Sequence, residues 1–328
     1  MKIVVLDGHT VNPGDNPWDE LAAFGTLAVF DRSAPDQVVA RAGEAEIVLA
    51  NKTLLPAETL AQLPRLRLIV ELATGFDNID VAFAGRHGIP VANVPVYGAA
   101  SVAQHTFALI LELCNRVGEH DRAVKTGAWI KAPDFSFTTA PLVELAGRRL
   151  GIVGFGEIGR RVAAIAHAFG MEVLAYNPRP KEALSGVPVT WTSLEELFAA
   201  ADIVSLHCPL TAENRGFVAR PLLKTMKRDA FLINTARGAL VNERDLAAAL
   251  GEGQLAGAAV DVVDGEPMLP ANPLLAVPSC IITPHIAWAS LAARRRLLAG
   301  AVGNVAAFLA GAPSNVVNRQ YLSGSRAL

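Results

Sequence analysis

The chain has little of what marks several specialised classes of protein. It has three cysteines, Cys114, Cys208 and Cys280, which lie far apart. They form no CxxC pair and no zinc-ligand spacing, and an odd number closes no disulfide framework. Reduced thiols in a cytoplasmic protein are the simplest reading. No apolar run is long enough to span a bilayer: the stretch 106–111 is interrupted by Glu112. The N-terminus reaches an acidic residue at Asp7, too early for the apolar region of a signal peptide. The HExxH, P-loop and GxSxG patterns are missing. Neither sign of charge dominates, with 29 Lys and Arg against 31 Asp and Glu. The one tight basic run, Arg294, Arg295 and Arg296, reads as a solvated helix face rather than a nucleic-acid patch. Neither a nucleic-acid partner nor a membrane partner is expected.

What the chain does have is apolar mass. It is 52% hydrophobic and 18% charged over 328 residues, which suits two domains with sizeable cores. Strand-like runs at 2–6, 27–30, 47–50, 68–71 and 90–92 alternate with helical patterns at 35–42, 57–62 and 81–87. Such alternation predicts a parallel sheet covered by helices on both faces. One long helix is expected over 101–125, then an irregular stretch over 126–141. A second alternation has strands at 150–153, 172–176, 203–206, 230–234, 258–260 and 280–283, with helices at 193–200, 220–226 and 243–250. Six strands match a full dinucleotide fold. The helical pattern 290–310 is expected to leave that domain and pack on the first one, so that two crossings create a cleft. Residues 320–328 read as a loose tail.

The most specific feature is the glycine set Gly154, Gly156 and Gly159, between an apolar strand and a helix that opens with Glu157 and Ile158. In the dinucleotide fingerprint the first glycine permits the tight turn, the second admits a diphosphate, and the third lets helix pack on strand. The helix N-terminus adds free N–H groups and a positive dipole end. Alone, such a turn can also be purely steric. Three further segments follow later strands, where ligands bind in open α/β sheets. They hold Arg237 before a glycine, Glu266 in a Gly-Glu-Pro turn, and His285 after Pro284. Each has an ordinary reading: a loop-capping arginine, a solvated carboxylate, a structural histidine. Their occurrence together on successive strand ends favours chemistry. An arginine fork grips a carboxylate, and a carboxylate beside an imidazole favours a ring that donates a proton.

The ordered motifs GFGEIG, HCPLTAENRGF, NTARG, DGEP and TPHIAW, spread over residues 45–318, resemble the D-isomer-specific 2-hydroxyacid dehydrogenases. Alanine-asparagine-lysine-threonine at 50–53, with Ala73, Thr74 and Gly75, looks most like the glycerate dehydrogenases, also called hydroxypyruvate reductases. One departure is Val263, where the family often has Phe. The resemblance implies an α/β fold of two doubly wound parallel-sheet domains. A Rossmann NAD(P)-binding domain over 101–289 would be inserted into a flavodoxin-like substrate domain formed by 1–100 and 290–328. It implies an enzyme that moves hydride between NAD(P)H and a small 2-keto acid, hydroxypyruvate or glyoxylate above all. His285 would protonate the keto oxygen, Glu266 would orient and charge His285, and Arg237 would hold the substrate carboxylate.

The resemblance also assigns binding residues. The substrate would meet Asn51, Lys52, Ala73, Thr74 and Gly75, where small residues let backbone N–H groups form an anion nest. Besides the glycine turn, the cofactor would meet Thr106, His207, Cys208, Pro209 and Thr211. On the later strand ends it would meet Thr235, Ala236, Asp261 and Ala287, with Asp261 bonding the nicotinamide carboxamide. An NAD-preferring site usually carries a carboxylate after the second strand. Here Asn177 stands there with Arg179 beyond it, so NADP(H) is expected to be at least accepted. The segment 101–129 resembles the arm by which family members form homodimers. Two alternatives remain open: a dinucleotide-sensing corepressor on the same fold, and another D-2-hydroxyacid dehydrogenase such as phosphoglycerate dehydrogenase.

Overall fold

The computed structural model describes residues 1–179 and 186–322. Pro180, which follows Arg179, and residues 323–328 of the expected tail lie outside the described residues. The chain divides into two compact units, one formed by Met1–Gly98 with Trp288–Leu328 and the other by Ala99–Ala287.

In the first unit, β1 (Lys2–Val5), β2 (Thr26–Val29), β3 (Ile47–Ala50), β4 (Leu68–Glu71) and β5 (Val91–Ala92) form one sheet. Its order is β2-β1-β3-β4-β5 and every pairing is parallel. That is the flavodoxin-like order, whose direction of winding switches between β1 and β3. Strand residues alternate between two cores. Val4, Val48, Ile69 and Val91 join Val38, Leu60 and Ala84 on one face. Ile3, Ile47, Leu68 and Val70 join Leu297, Ala301 and Val305 of the helix Leu291–Leu309 on the other. Both faces are covered, so β3 and β4 are apolar almost without interruption.

Two expectations are corrected in this unit. Arg294 is not on a solvated face. It is buried, forms a bidentate pair with Asp15, and donates to the carbonyls of Val11 and Ala289. Only Arg295 and Arg296 of that run are exposed. The tail is not loose as far as residue 322. Asn318 is fully buried, donates to the carbonyls of Val81 and Ile89, and accepts from the Val91 N–H. Tyr321 packs so closely on Gly85 that an added Cβ there would lie 2.4 Å from the Tyr321 Cβ.

The second unit contains β6 (Arg149–Val153), β7 (Glu172–Tyr176), β8 (Thr190–Trp191), β9 (Ile203–Leu206), β10 (Phe231–Asn234), β11 (Gly257–Val260) and β12 (Cys280–Ile282). The order β12-β11-β10-β9-β6-β7-β8 is all parallel and reverses between β6 and β9. This is the Rossmann order with one strand added at β12. The sequence showed six strands; the two-residue edge strand β8 is the seventh. The helices Ala99–Asn115 and Glu157–Ala168 cover one face through Phe107, Ile110, Val162 and Ala166. The helices Leu194–Ala200 and Glu243–Gly251 cover the other through Leu197, Phe198 and Leu246. The single helix expected over 101–125 is two, Ala99–Asn115 and Val117–Lys125, divided at Arg116, whose φ of 47° is left-handed. Among the described residues no helix is long and apolar enough to cross a membrane, and no cluster of three or more His, Cys, Asp or Glu could hold a metal.

Candidate active site

The reversal between β6 and β9 brings two loops together. Gly154 leaves β6 with a φ of 100°, and a Cβ there would lie 2.4 Å from Cys208 N and 2.5 Å from the His207 carbonyl carbon. A Cβ on Gly159 would lie 2.3 Å from the Gly154 oxygen. These two glycines are required by the protein's own packing. Gly156 is different: beyond its chain neighbours nothing lies within 4 Å of a Cβ built there, so packing within the protein does not require a glycine. It caps the helix Glu157–Ala168 without a side-chain hydrogen bond, which leaves first-turn N–H groups for an anion. An open cradle at a helix N-terminus fits the diphosphate of a dinucleotide. Ile158 is half-buried beside it and Glu157 is exposed.

Asn177, just past β7, accepts the Phe155 N–H through Oδ1 at 2.9 Å, and Arg179 is exposed. Past β9, His207 Nε2 lies 2.9 Å from Ser205 Oγ, and Nδ1 is enclosed with no partner among the described residues. Burial pushes the His207 pKa down to about 3, so the ring is neutral. Burial also pushes the Cys208 thiol up to about 11, so it stays protonated. Asn214 closes the next turn, donating to the Pro209 carbonyl and accepting the Thr211 N–H at 2.7 Å. Thr106 differs from expectation. It is fully buried, and its hydroxyl donates to the Val102 carbonyl and sits 3.2 Å from Thr235 Oγ1. With no exposed surface it braces Thr235 from within the protein.

Arg237 follows β10, where its loop is shaped by a residue that the sequence reading passed over. Buried Asn234 donates to the Arg237 carbonyl and accepts the Ala236 N–H. Gly238 then lies against the 261–266 loop so tightly that a Cβ would be 1.9 Å from the Val263 carbonyl carbon. The half-buried Arg237 is thereby kept beside the loop that ends in Glu266. His285 Nδ1 lies 2.6 Å from Glu266 Oε2, and Glu266 Oε1 accepts the Val263 N–H at 3.2 Å. His285 Nε2 has no protein partner among the described residues. Asp261 is almost wholly buried. Burial would raise its pKa, but hydrogen bonds from His105, Thr283, Ala287 and Ile286 outweigh this and hold the carboxylate below its usual range. Expected to face the nicotinamide, it has both oxygens engaged within the protein: Oδ1 takes Thr283 and Ile286, and Oδ2 takes the N–H of buried Ala287.

In the first unit, Asp7 stands just past β1. Its carboxylate accepts the N–H groups of Asn51, Lys52 and Thr53 at 2.8, 2.5 and 2.7 Å. Asn51, expected as a substrate contact, is buried; Nδ2 donates to the Leu72 carbonyl at 2.6 Å, and the side chain therefore shapes the following loop. Lys52 is exposed. The Thr74 hydroxyl donates to the Val94 carbonyl at 3.0 Å. The N–H groups of Ala73, Thr74 and Gly75 donate to no protein acceptor among the described residues, as an anion nest requires.

A sequence model described as D-isomer specific 2-hydroxyacid dehydrogenase, NAD binding domain, matches residues 107–287. A hydroxypyruvate reductase from Blautia hydrogenotrophica is 45% identical over 97% of this chain and 100% of its own length. The chain belongs to the D-isomer specific 2-hydroxyacid dehydrogenase family. A glycerate dehydrogenase from Methylorubrum extorquens is 41% identical over 86% of this chain and 88% of its own. The crystal structure of an NADPH-dependent glyoxylate/hydroxypyruvate reductase from Sinorhizobium meliloti, in complex with NADP and malonate, superposes with a TM-score of 0.85 at 27% identity. That likeness covers 100% of this chain and 99% of the other. The protein is therefore an NAD(P)-dependent oxidoreductase of this family, with two parallel-sheet α/β domains.

Proposed function

We propose that this protein reduces hydroxypyruvate and glyoxylate to the D-2-hydroxy acids, with Arg237, Glu266 and His285 as its catalytic residues. The observation that carries the assignment is the 2.6 Å contact between His285 Nδ1 and Glu266 Oε2. A carboxylate on Nδ1 engages that nitrogen and fixes the ring's orientation, so Nε2 is the nitrogen left to serve the substrate. The hydride would come from a reduced nicotinamide dinucleotide bound at the glycine turn. His285 gives its Nε2 proton to the keto oxygen and retains the Nδ1 proton towards Glu266. Arg237 grips the substrate carboxylate and polarises the adjacent carbonyl. We assign Lys52 and the N–H groups of Ala73, Thr74 and Gly75 to binding the same class of anion. The names of the hydroxypyruvate, glycerate and glyoxylate relatives support this substrate class.

The dinucleotide's diphosphate would be held by Gly154, Gly156, Gly159 and the first-turn N–H groups of Glu157 and Ile158. His207, Cys208, Pro209, Thr211, Thr235 and Ala236 would line the rest. At the adenosine end Asn177 uses its oxygen on Phe155, which leaves its amide hydrogens as donors. Donors suit a 2′-phosphate that a carboxylate would repel, and exposed Arg179 adds positive charge. We assign NADP(H) as an accepted cofactor. Cys114, Cys208 and Cys280 are free, which suits a reducing compartment, and we assign the protein to the cytoplasm. We also assign it a homodimer, formed through the helix Val117–Lys125 and the stretch after it.

The test is a keto-acid panel assayed with NADH and with NADPH. Turnover of hydroxypyruvate or glyoxylate is expected, with NADPH used. His285→Ala should lower kcat by about 10²–10⁴-fold while cofactor affinity stays within a few fold. No turnover of any 2-keto acid would favour the corepressor reading, and intact turnover in the variant would remove His285 from the chemistry.

A further inference from the structure

Three consecutive N–H groups, those of His285, Ile286 and Ala287, donate to Asp261, the first of them shared with the Thr283 carbonyl at 3.0 Å. His285 donates to the Asp261 carbonyl at 2.8 Å, Ile286 to Oδ1 at 2.9 Å and Ala287 to Oδ2 at 2.8 Å. His285 itself has a φ of 55°, a left-handed conformation uncommon for a residue with a side chain. Such a backbone persists only where its surroundings over-determine it. Asp261 is what does so.

Asp261 is in turn held from the far side. The Thr283 hydroxyl lies 2.6 Å from Asp261 Oδ1 and 3.1 Å from His105 Nε2. A carboxylate only accepts, so the single hydroxyl proton must point to Asp261. The hydroxyl lone pair then faces His105 Nε2, which must carry hydrogen. That nitrogen also stands 3.5 Å from Asp261 Oδ1. His105 reaches this place from the helix Ala99–Asn115, distant in sequence, and its side chain is mostly enclosed.

We propose that His105 is a positioning residue for the reduction. Its Nε2–H donates to the Thr283 oxygen and so anchors the hydroxyl that donates to Asp261, which in turn holds His285 in its left-handed conformation with Nδ1 on Glu266. The inference rests on the assignment of His285 as proton donor. It adds a residue that no motif of the sequence singled out, acting through two others.

The test compares His105→Phe, which keeps the shape and removes the donor, with His105→Gln, which keeps a donor. His105→Phe should lower kcat about tenfold, with the KM for NADPH within about twofold and the Tm within a few degrees. His105→Gln should recover to within about threefold of the unaltered protein. Thr283→Val should lose as much as His105→Phe. The double variant should be no worse than the poorer single one, because both break one chain of contacts. Turnover in His105→Phe equal to the unaltered protein overturns the proposal. So do losses that multiply in the double variant, or a His105→Gln variant as impaired and as thermally labile as His105→Phe. An unaltered protein that reduces no 2-keto acid removes the function and this inference together. An active one indifferent to His105 removes this inference alone.

Discussion

Glu71 ends β4 with no exposed surface, one residue before the loop that offers free N–H groups. Its Oε2 accepts from Asn78 at 3.1 Å, and Oε1 has no partner among the described residues. Burial pushes its pKa up to about 9, against the pull of Asn78 and Lys52. The folded chain therefore holds a proton at neutral pH that the unfolded chain, titrating near 4.5, has released. The unfolded state binds fewer protons between those values, so this contribution to stability is complete below about pH 4.5 and disappears as pH rises through about 9. Glu71→Gln imitates the neutral acid. Urea unfolding across that window should show the unaltered protein losing up to about 1 kcal/mol per pH unit relative to the variant. Parallel pH profiles would mean that Glu71 is ionised in the folded state. Nothing in the sequence marks this carboxylate, because a Glu at a strand end reads the same whether covered or not. Asp7 was equally silent, since its three N–H partners come from the loop after β3, a strand that is neighbour to β1 only in the sheet. Arg237, Glu266 and His285 were legible because each stands in a motif whose spacing places it at a strand end.

At the scale of elements, the glycine turn separates two kinds of requirement. Gly154 has a positive φ and no room for a Cβ beside Cys208; Gly156 has an ordinary φ of −89° and open space. Gly154→Ala should therefore destabilise the cofactor-free protein by about 1–3 kcal/mol. Gly156→Ala should leave its stability within about 0.5 kcal/mol and instead weaken NADPH binding. Thermal unfolding without cofactor and NADPH titration by fluorescence distinguish the two. Equal loss of stability in both would show that the open side of Gly156 is not a cradle. The glycines and the apolar strands around them were readable because parallel strands covered on both faces show as continuous apolar runs. The edge strand β8 was not, as two residues give no periodicity. The break at Arg116 was also hidden, since both flanking segments carry a helical pattern.

At the scale of the whole molecule, the 101–129 segment resembles a dimer arm, and apolar residues lie in its second half and in the stretch that follows. The structure places them outside the core: Ile130 and Phe135 are each 89% exposed, and Val117, Trp129 and Leu142 are more than half exposed. Large apolar side chains left exposed close together in sequence suit a contact site. A second copy of the chain is the partner we assign, and a two-fold contact would use the same patch on both copies. Light scattering should then give about twice the 34.6 kDa of one chain. Introducing charge with Ile130→Asp and Phe135→Asp should yield monomers, because an unpaired carboxylate cannot be buried without a partner. The unaltered protein should also show a Tm that rises with concentration, since association stabilises only the folded state, and the double variant should lose that dependence. A single-chain mass for the unaltered protein at micromolar concentration would leave the exposed patch to some other partner.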